Sequence, residues 1–312
     1  MNHSDLRLSG SVLAIFISVA FELLAAQPKP QLFTFHSNAW LNLHHYVRSN
    51  ARGGPTPTGL TDEERAQWAA GVEFYKPYVN RDLNADNGMV AIKTALRGAE
   101  GKTSLDGIAI DAALKATLER IMPIYQKRWW PEHDRANREW IVTMRPLVDR
   151  HGAALSEALA HVYDVSWPRD PIPVDLTVTA GASGAYGTSE PSAHITMTPS
   201  TFRSFVALEM LFHESTHGIV PLYQWVSQAA TAQKVTVPPQ LSHAVLFYTA
   251  GELTMRELKA RGITYTAWAD ADFYTNMCGA GCLAKMREHW GPRLDGQRSI
   301  AEGLSALVTA FK

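Results

Sequence analysis

The sequence predicts a mainly helical α+β protein in which a small antiparallel sheet leads into one long buried helix. Three observations carry this. From residue 37 to 165 apolar residues recur at helical spacing, and no stretch alternates with period two. Residues 174–179 and 194–198 do alternate and are rich in β-branched side chains, as half-buried strands require. Between the second of these and Pro221, the residues Phe205, Leu208, Phe212 and Ile219 form an apolar helical stripe.

The chain of 312 residues is 46% hydrophobic and 19% charged with a formal net charge of −1, so it has a globular composition and no basic footprint. Nucleic acid and anionic membrane surfaces are therefore not favoured partners. Residues 8–26 form an apolar run after Arg7, and Leu24-Ala25-Ala26 offers small residues before Gln27. This pattern reads as a secretory signal over residues 1–26, which implies a secreted or periplasmic protein with no membrane span in the mature chain. The alternatives are an uncleaved anchor and a buried core helix. Two cysteines, Cys278 and Cys282, are separated by Gly279-Ala280-Gly281. An exported chain can close this tight turn as a local disulfide; free thiols and a metal pair are the other readings.

In chain order, a helix is expected from Ser37, a candidate N-cap, with Trp40, Leu43 and Val47 on its apolar face. His44 and His45 are adjacent and point apart, so they read as structural histidines. A loop follows at residues 51–59, and Thr61-Asp62-Glu63-Glu64 is a capping box opening the next helix. Further helices are expected near residues 90–96, 108–125, 132–150 and 153–162. The charged run at residues 132–138 reads as a solvated helix face laced with i, i+3 and i, i+4 ion pairs. These segments define a helical N-terminal region over 27–165; the composition shifts at Trp167-Pro168, and residues 166–312 form the second region. The two alternating segments look like an antiparallel pair, joined through a flexible loop at Gly181–Gly187.

The second region holds the one run whose spacing is chemical: His213-Glu214-Ser215-Thr216-His217. On a helix, residues four apart share a face, so both imidazoles reach one metal ion and Glu214 can address a water bound to it. Glu209, His213 and His217 make a polar stripe beside the apolar one, and buried groups of this kind need partners. Glu209 reads either as a carboxylate orienting an imidazole or as a core glutamate paired with an arginine. A catalytic zinc takes three protein ligands and a water, so one ligand is missing. The metzincin continuation requires a histidine at position 223, which is Tyr223 here. A helix following Pro238-Pro239 carries Glu252, 252 − 217 = 35 positions after the motif, and Glu252 is the expected third ligand. His243 lies 252 − 243 = 9 residues earlier, on the opposite face, and is the runner-up ahead of Asp270 and Asp272. Tyr248, one turn before Glu252, is placed to donate its hydroxyl to a substrate oxygen.

Over residues 174–258 the chain resembles the gluzincin, thermolysin-like branch of the zinc metallopeptidases. The resemblance rests on a strand, the helix with His213-Glu214-Ser215-Thr216-His217, and a second helix bearing a glutamate. It implies a zincin-like catalytic region with zinc on His213, His217 and Glu252. It also implies Glu214 as general base, and an edge strand at residues 194–198 that aligns an extended peptide. Two departures stand out: Arg256 occupies the place of an acidic residue that supports a zinc histidine, and the spacing to Glu252 is longer than in the best-known members. The expected function is zinc-dependent cleavage of peptide or protein substrates. The alternatives are a metal-binding module without peptidase activity and a hydrolase of a non-peptide amide. A chance motif among ordinary core histidines is the remaining reading.

Overall fold

A computed structural model describes residues 31–54, 58–189 and 192–312, which form a single compact unit within 31–312. The expected signal segment at 1–26 lies outside the described residues. Four strands, β1 (Phe33–His36), β2 (Ile172–Leu176), β3 (Ala185–Thr188) and β4 (His194–Met197), build one sheet in the order β1-β2-β4-β3. The sheet is mixed. β2 pairs in parallel with both β1 and β4, and only β3 runs antiparallel, beside β4.

This corrects the expected antiparallel pair. The chain leaves β2, runs back along the outer edge as β3, and returns as β4 between them. Period-two alternation reports a half-buried strand but carries nothing about the direction of its neighbour. The sheet's edges are consequently β1 and β3, the latter disguised as a loop by the glycine-rich sequence, while β4 is interior. One sheet face presents Val174, Ile195 and Met197 to the main core. The other is a buried polar layer that includes Asp175, His194, Thr196 and Thr188.

The helices begin where the local chemistry dictates. Asn38, not Ser37, caps α1 (Ala39–Ala51): its Oδ1 accepts from the backbone N–H of Trp40 and Leu41 at 2.9 and 3.2 Å, while Ser37 donates to Asp134 at 2.7 Å. α2 (Asp62–Tyr75) opens with the expected reciprocal box between Thr61 and Glu64. α3 (Asn87–Arg97) and α4 (Ala112–Arg128) follow. α5 (Trp130–Tyr163) is one continuous helix through Pro146 and Gly152, where the sequence suggested two. Gly152 is a packing position and not a terminator: a Cβ there would lie 2.8 Å from Leu32 Cδ1, so the glycine lets α5 press on the segment entering β1. The charged face near its start carries the expected i, i+4 pairs, Asp134–Arg138 and Arg135–Glu139.

Two apolar clusters hold the unit together. Trp40, Val47, Trp68, Leu118 and Tyr125 join α1, α2 and α4. The larger cluster joins α5 and the sheet to the helices that come after it. Because β1 and α5 belong to this larger cluster, residues on both sides of position 165 build the same core. Those later helices are α6 (Ser204–Ile219), α7 (Leu222–Gln233), α8 (Leu241–Ala260) and α9 (Ala271–Cys278). Three short ones complete the chain: α10 (Cys282–Lys285), α11 (Gly291–Leu294) and α12 (Ile300–Thr309). Cys278 and Cys282 are disulfide-bonded, stapling α9 to α10. No helix among the described residues is long and apolar enough to cross a membrane.

Candidate metal centre

Helices α6 and α8 cross in antiparallel fashion, and the crossing pairs residues four apart on each. Gly251 lies against Glu209, where a Cβ would sit 3.4 Å from the carboxylate Oε1. One turn along, Phe247 stacks on His213 with ring centroids 3.7 Å apart. One further turn along, His243 lies 4.9 Å from His217. The tighter constraint on Gly251 comes from the segment after α8, where a Cβ would lie 2.8 Å from the Ala267 Cβ.

The result is a cluster of three imidazoles. His213 Nε2 lies 3.2 Å from His217 Nε2 and 3.3 Å from His243 Nε2. The three ligating nitrogens all fall within 4.8 Å of one another. A tetrahedral ion with Zn–N bonds of about 2.0–2.1 Å separates its ligand nitrogens by roughly 3.3–3.4 Å, so the two short spacings fit shared coordination. Protein chemistry alone fits them poorly. If His213 Nε2 carries a proton it can donate to only one neighbour, and the other contact sets lone pair against lone pair. His213 Nδ1 is also buried with no hydrogen-bond partner of its own, and the backbone of Leu246 favours a proton on that ring. A cation at Nε2 would meet a lone pair from each ring and would leave the His213 proton on Nδ1.

Burial prepares the donors. It pushes the His217 imidazole down to about 3 and His243 to about 4, with His243 adding repulsion at His217. His213 is depressed by burial first, then by His217 and His243. All three rings are neutral at ordinary pH. Phe247 covers His213, and Trp268 and Phe273 back it at 5.4 and 4.7 Å.

Glu214 projects from α6 toward the edge strand. A Cβ on Gly187 would lie 2.3 Å from the Glu214 carbonyl oxygen and 3.3 Å from its Oε2, so β3 passes this close only because residue 187 is glycine. The Gly187 N–H donates to Glu214. Burial raises the Glu214 carboxyl to about 8, opposed by that bond and by the charge of Lys93. Lys93 is itself buried: it donates to Thr188 Oγ1 at 2.7 Å, lies 4.9 Å over the Tyr186 ring, and is held down to about 7 by desolvation.

The other sequence candidates lie elsewhere. Glu252 faces away from the imidazoles and points toward Arg256, whose Nε is 3.8 Å from its carboxylate. Tyr248 shares that face, packed against Tyr274 with ring centroids 6.5 Å apart; burial and then the Glu252 charge raise its phenol to about 12. Nine residues turn a helix through half a revolution, so once His243 faces α6, Glu252 and its neighbour Tyr248 cannot. Asp270 caps α9, accepting from Phe273 N–H at 2.8 Å, and Asp272 is exposed. Glu209 contacts neither an imidazole nor an arginine; it accepts from the Tyr265 hydroxyl at 2.7 Å and the Trp268 N–H at 3.1 Å.

Comparison with protein-family models, with curated proteins and with solved structures returned no match. The site is therefore argued from its own geometry. That geometry brings in residues the sequence did not single out. Tyr223, half exposed, stacks toward His217 with ring centroids 6.4 Å apart and lies within the field of Glu214. Trp268, 40% exposed, flanks the opposite side through Phe247. Two signals pointed to this arrangement: the stripe His243-Phe247-Gly251 at i, i+4, i+8, and an aromatic at position 223 six residues after His217.

Proposed function

We propose that the protein is a zinc-dependent hydrolase of peptide bonds, with the metal held by His213, His217 and His243 and with Glu214 as general base. The observation that supports this most directly is the pair of 3.2 and 3.3 Å spacings from the Nε2 of buried His213 to those of half-buried His217 and His243. An all-imidazole set suits zinc, and three protein ligands leave the fourth position for water or substrate.

Bound zinc supplies Lewis acidity and a water whose pKa lies near neutrality. Glu214, adjacent to His213 on the same helix, is the residue that would take a proton from water as the carbonyl is attacked and return it to the leaving amine. Its bond from Gly187 N–H fixes the carboxylate, and Lys93 favours its ionised form. The hydroxyl of Tyr223 donates to the carbonyl oxygen as negative charge develops there. β3 ends the sheet on this side, and an extended peptide would add beside it as a further strand.

The test uses purified full-length protein and its Glu214→Gln variant. Both are expected to bind one zinc per chain, and the variant to lose roughly 10²–10⁴-fold in cleavage of a mixed peptide library. Absence of stoichiometric zinc from the wild type would remove the whole reading. Zinc binding with equal cleavage by both proteins, or cleavage by neither, would remove the peptidase and leave a metal-binding module.

A further inference from the structure

A cavity of about 320 Å³ opens between the last turns of α1 and the loop that follows β2, and it is not one of the walls of the imidazole cluster. Its lining includes Arg48, Arg52, His45, Ser49 and Thr179, with no acidic side chain. Arg48 is 5% exposed. Its Nε and Nη2 donate to the carbonyls of Tyr78, Val79 and Arg81 at 3.1, 3.0 and 2.8 Å, and Nη1 takes part in none of these bonds. The carbonyls solvate the guanidinium without neutralising it.

The local electrostatics are one-sided. Burial depresses Arg48 first, and the like charge of Arg52 depresses it further; only Tyr186 and Asp82 act in the other direction. Asp82, whose Oδ1 accepts from the backbone N–H groups of Asn84 and Ala85 at 2.9 and 3.1 Å, is not among the residues that line the cavity. Balancing the negative end of a helix explains basic residues in the last turn of α1 when they face solvent. It does not explain a buried guanidinium beside a second arginine at a cavity without a carboxylate, because a desolvated charge needs a counter-charge.

We propose that this cavity binds a small molecule through a carboxylate or phosphate group held between Arg48 and Arg52. Arg52 would offer an oxyanion the paired N–H donors of its guanidinium and Arg48 a single donor from Nη1, and the hydroxyls of Ser49 and Thr179 add neutral donors. The volume lies at the lower end of the range for small-ligand sites, which leaves room for a modest organic body beyond the anion. On its inner wall, His45 Nε2 lies 3.2 Å from the Tyr186 hydroxyl, so the site adjoins the edge strand that carries Gly187. The inference does not depend on zinc.

The experiment is thermal unfolding and titration calorimetry of the full chain with sodium phosphate and with sodium acetate, against sodium chloride at matched ionic strength. At least one of the two oxyanions is expected to raise Tm beyond the chloride control, and the stronger one identifies the preferred group. Arg52→Glu, at an exposed position, is expected to weaken that binding at least about tenfold. Ala182→Glu, which tethers a carboxylate at the cavity wall, is expected to abolish the shift while the variant still folds. His243→Ala is expected to leave it intact. No shift beyond chloride in the wild type, an unchanged shift in both cavity variants, or loss only in His243→Ala would overturn the proposal.

Discussion

Replacing His243 by alanine separates the structural reading of the site from the one the sequence favoured. With three imidazoles around one ion, removal of a ligand is expected to cost more than removal of an outer hydrogen-bond partner, which weakens metal by about 10–100-fold. Taking about 100-fold as a lower bound, zinc supplied at about 100 times the wild-type Kd stabilises the wild type by about 2.7 kcal/mol. The same zinc concentration equals the variant's Kd, and RT ln 2 leaves about 0.4 kcal/mol. At roughly 2–4 °C per kcal/mol for a chain of this size, the zinc-induced rise in Tm falls from about 5–10 °C to about 1 °C. Comparing the shift within each protein cancels any change that His243→Ala makes to the metal-free fold. Glu252→Ala is the matched control and is expected to keep the full shift. The reasoning fails if Glu252→Ala loses the zinc response while His243→Ala retains it.

Three further outcomes follow from the same geometry. Tyr223→Phe should lower kcat by about 10²–10³-fold with zinc content unchanged, while Tyr248→Phe leaves kcat as it is; steady-state kinetics on one peptide decides, and the reverse order would refute the assignment. Gly187→Ala should cost about 1–3 kcal/mol in chemical denaturation and slow hydrolysis without releasing zinc, since the new methyl collides with the Glu214 backbone. A variant with wild-type stability and rate would show that β3 does not press on α6 as described. Glu209, buried among Tyr265, Trp268 and Gly251, is pushed up by burial to about 7. Its neutral form is favoured by the fold, so this contribution is complete below pH about 4.5 and is lost as pH rises through about 7, an effect of up to about 3 kcal/mol. Glu209→Gln should flatten that fall in metal-free protein; parallel stability–pH curves for the two proteins would contradict it.

The sequence by itself determined what depends on neighbours along the chain. The helix carrying Trp40 and Val47, the box at Thr61 and Glu64, and the alternation around Val174 and Ile195 are local signals; each is present, with β2 starting two residues earlier than expected and ending at Leu176. The pairing of His213 with His217 is local too, because one helical turn sets it. Asn38 taking the cap from Ser37 and α5 running through Gly152 were settled by more distant partners, Asp134 and Leu32.

What only the tertiary structure decided was which faces meet. The sequence favoured Glu252 over His243 as the third ligand, and the two lie half a turn apart, so the choice rests on which stripe of α8 packs on α6. The stripe Gly251-Phe247-His243 is the one that meets Glu209, His213 and His217, which brings His243 to the imidazoles and leaves Glu252 on the other face beside Arg256. The edge strand was hidden for the same reason: Gly187 reads as a loop residue until the helix it must clear is known. A ligand supplied across a helix crossing, and a strand that exists because a helix leaves no room for a side chain, are properties of two surfaces together.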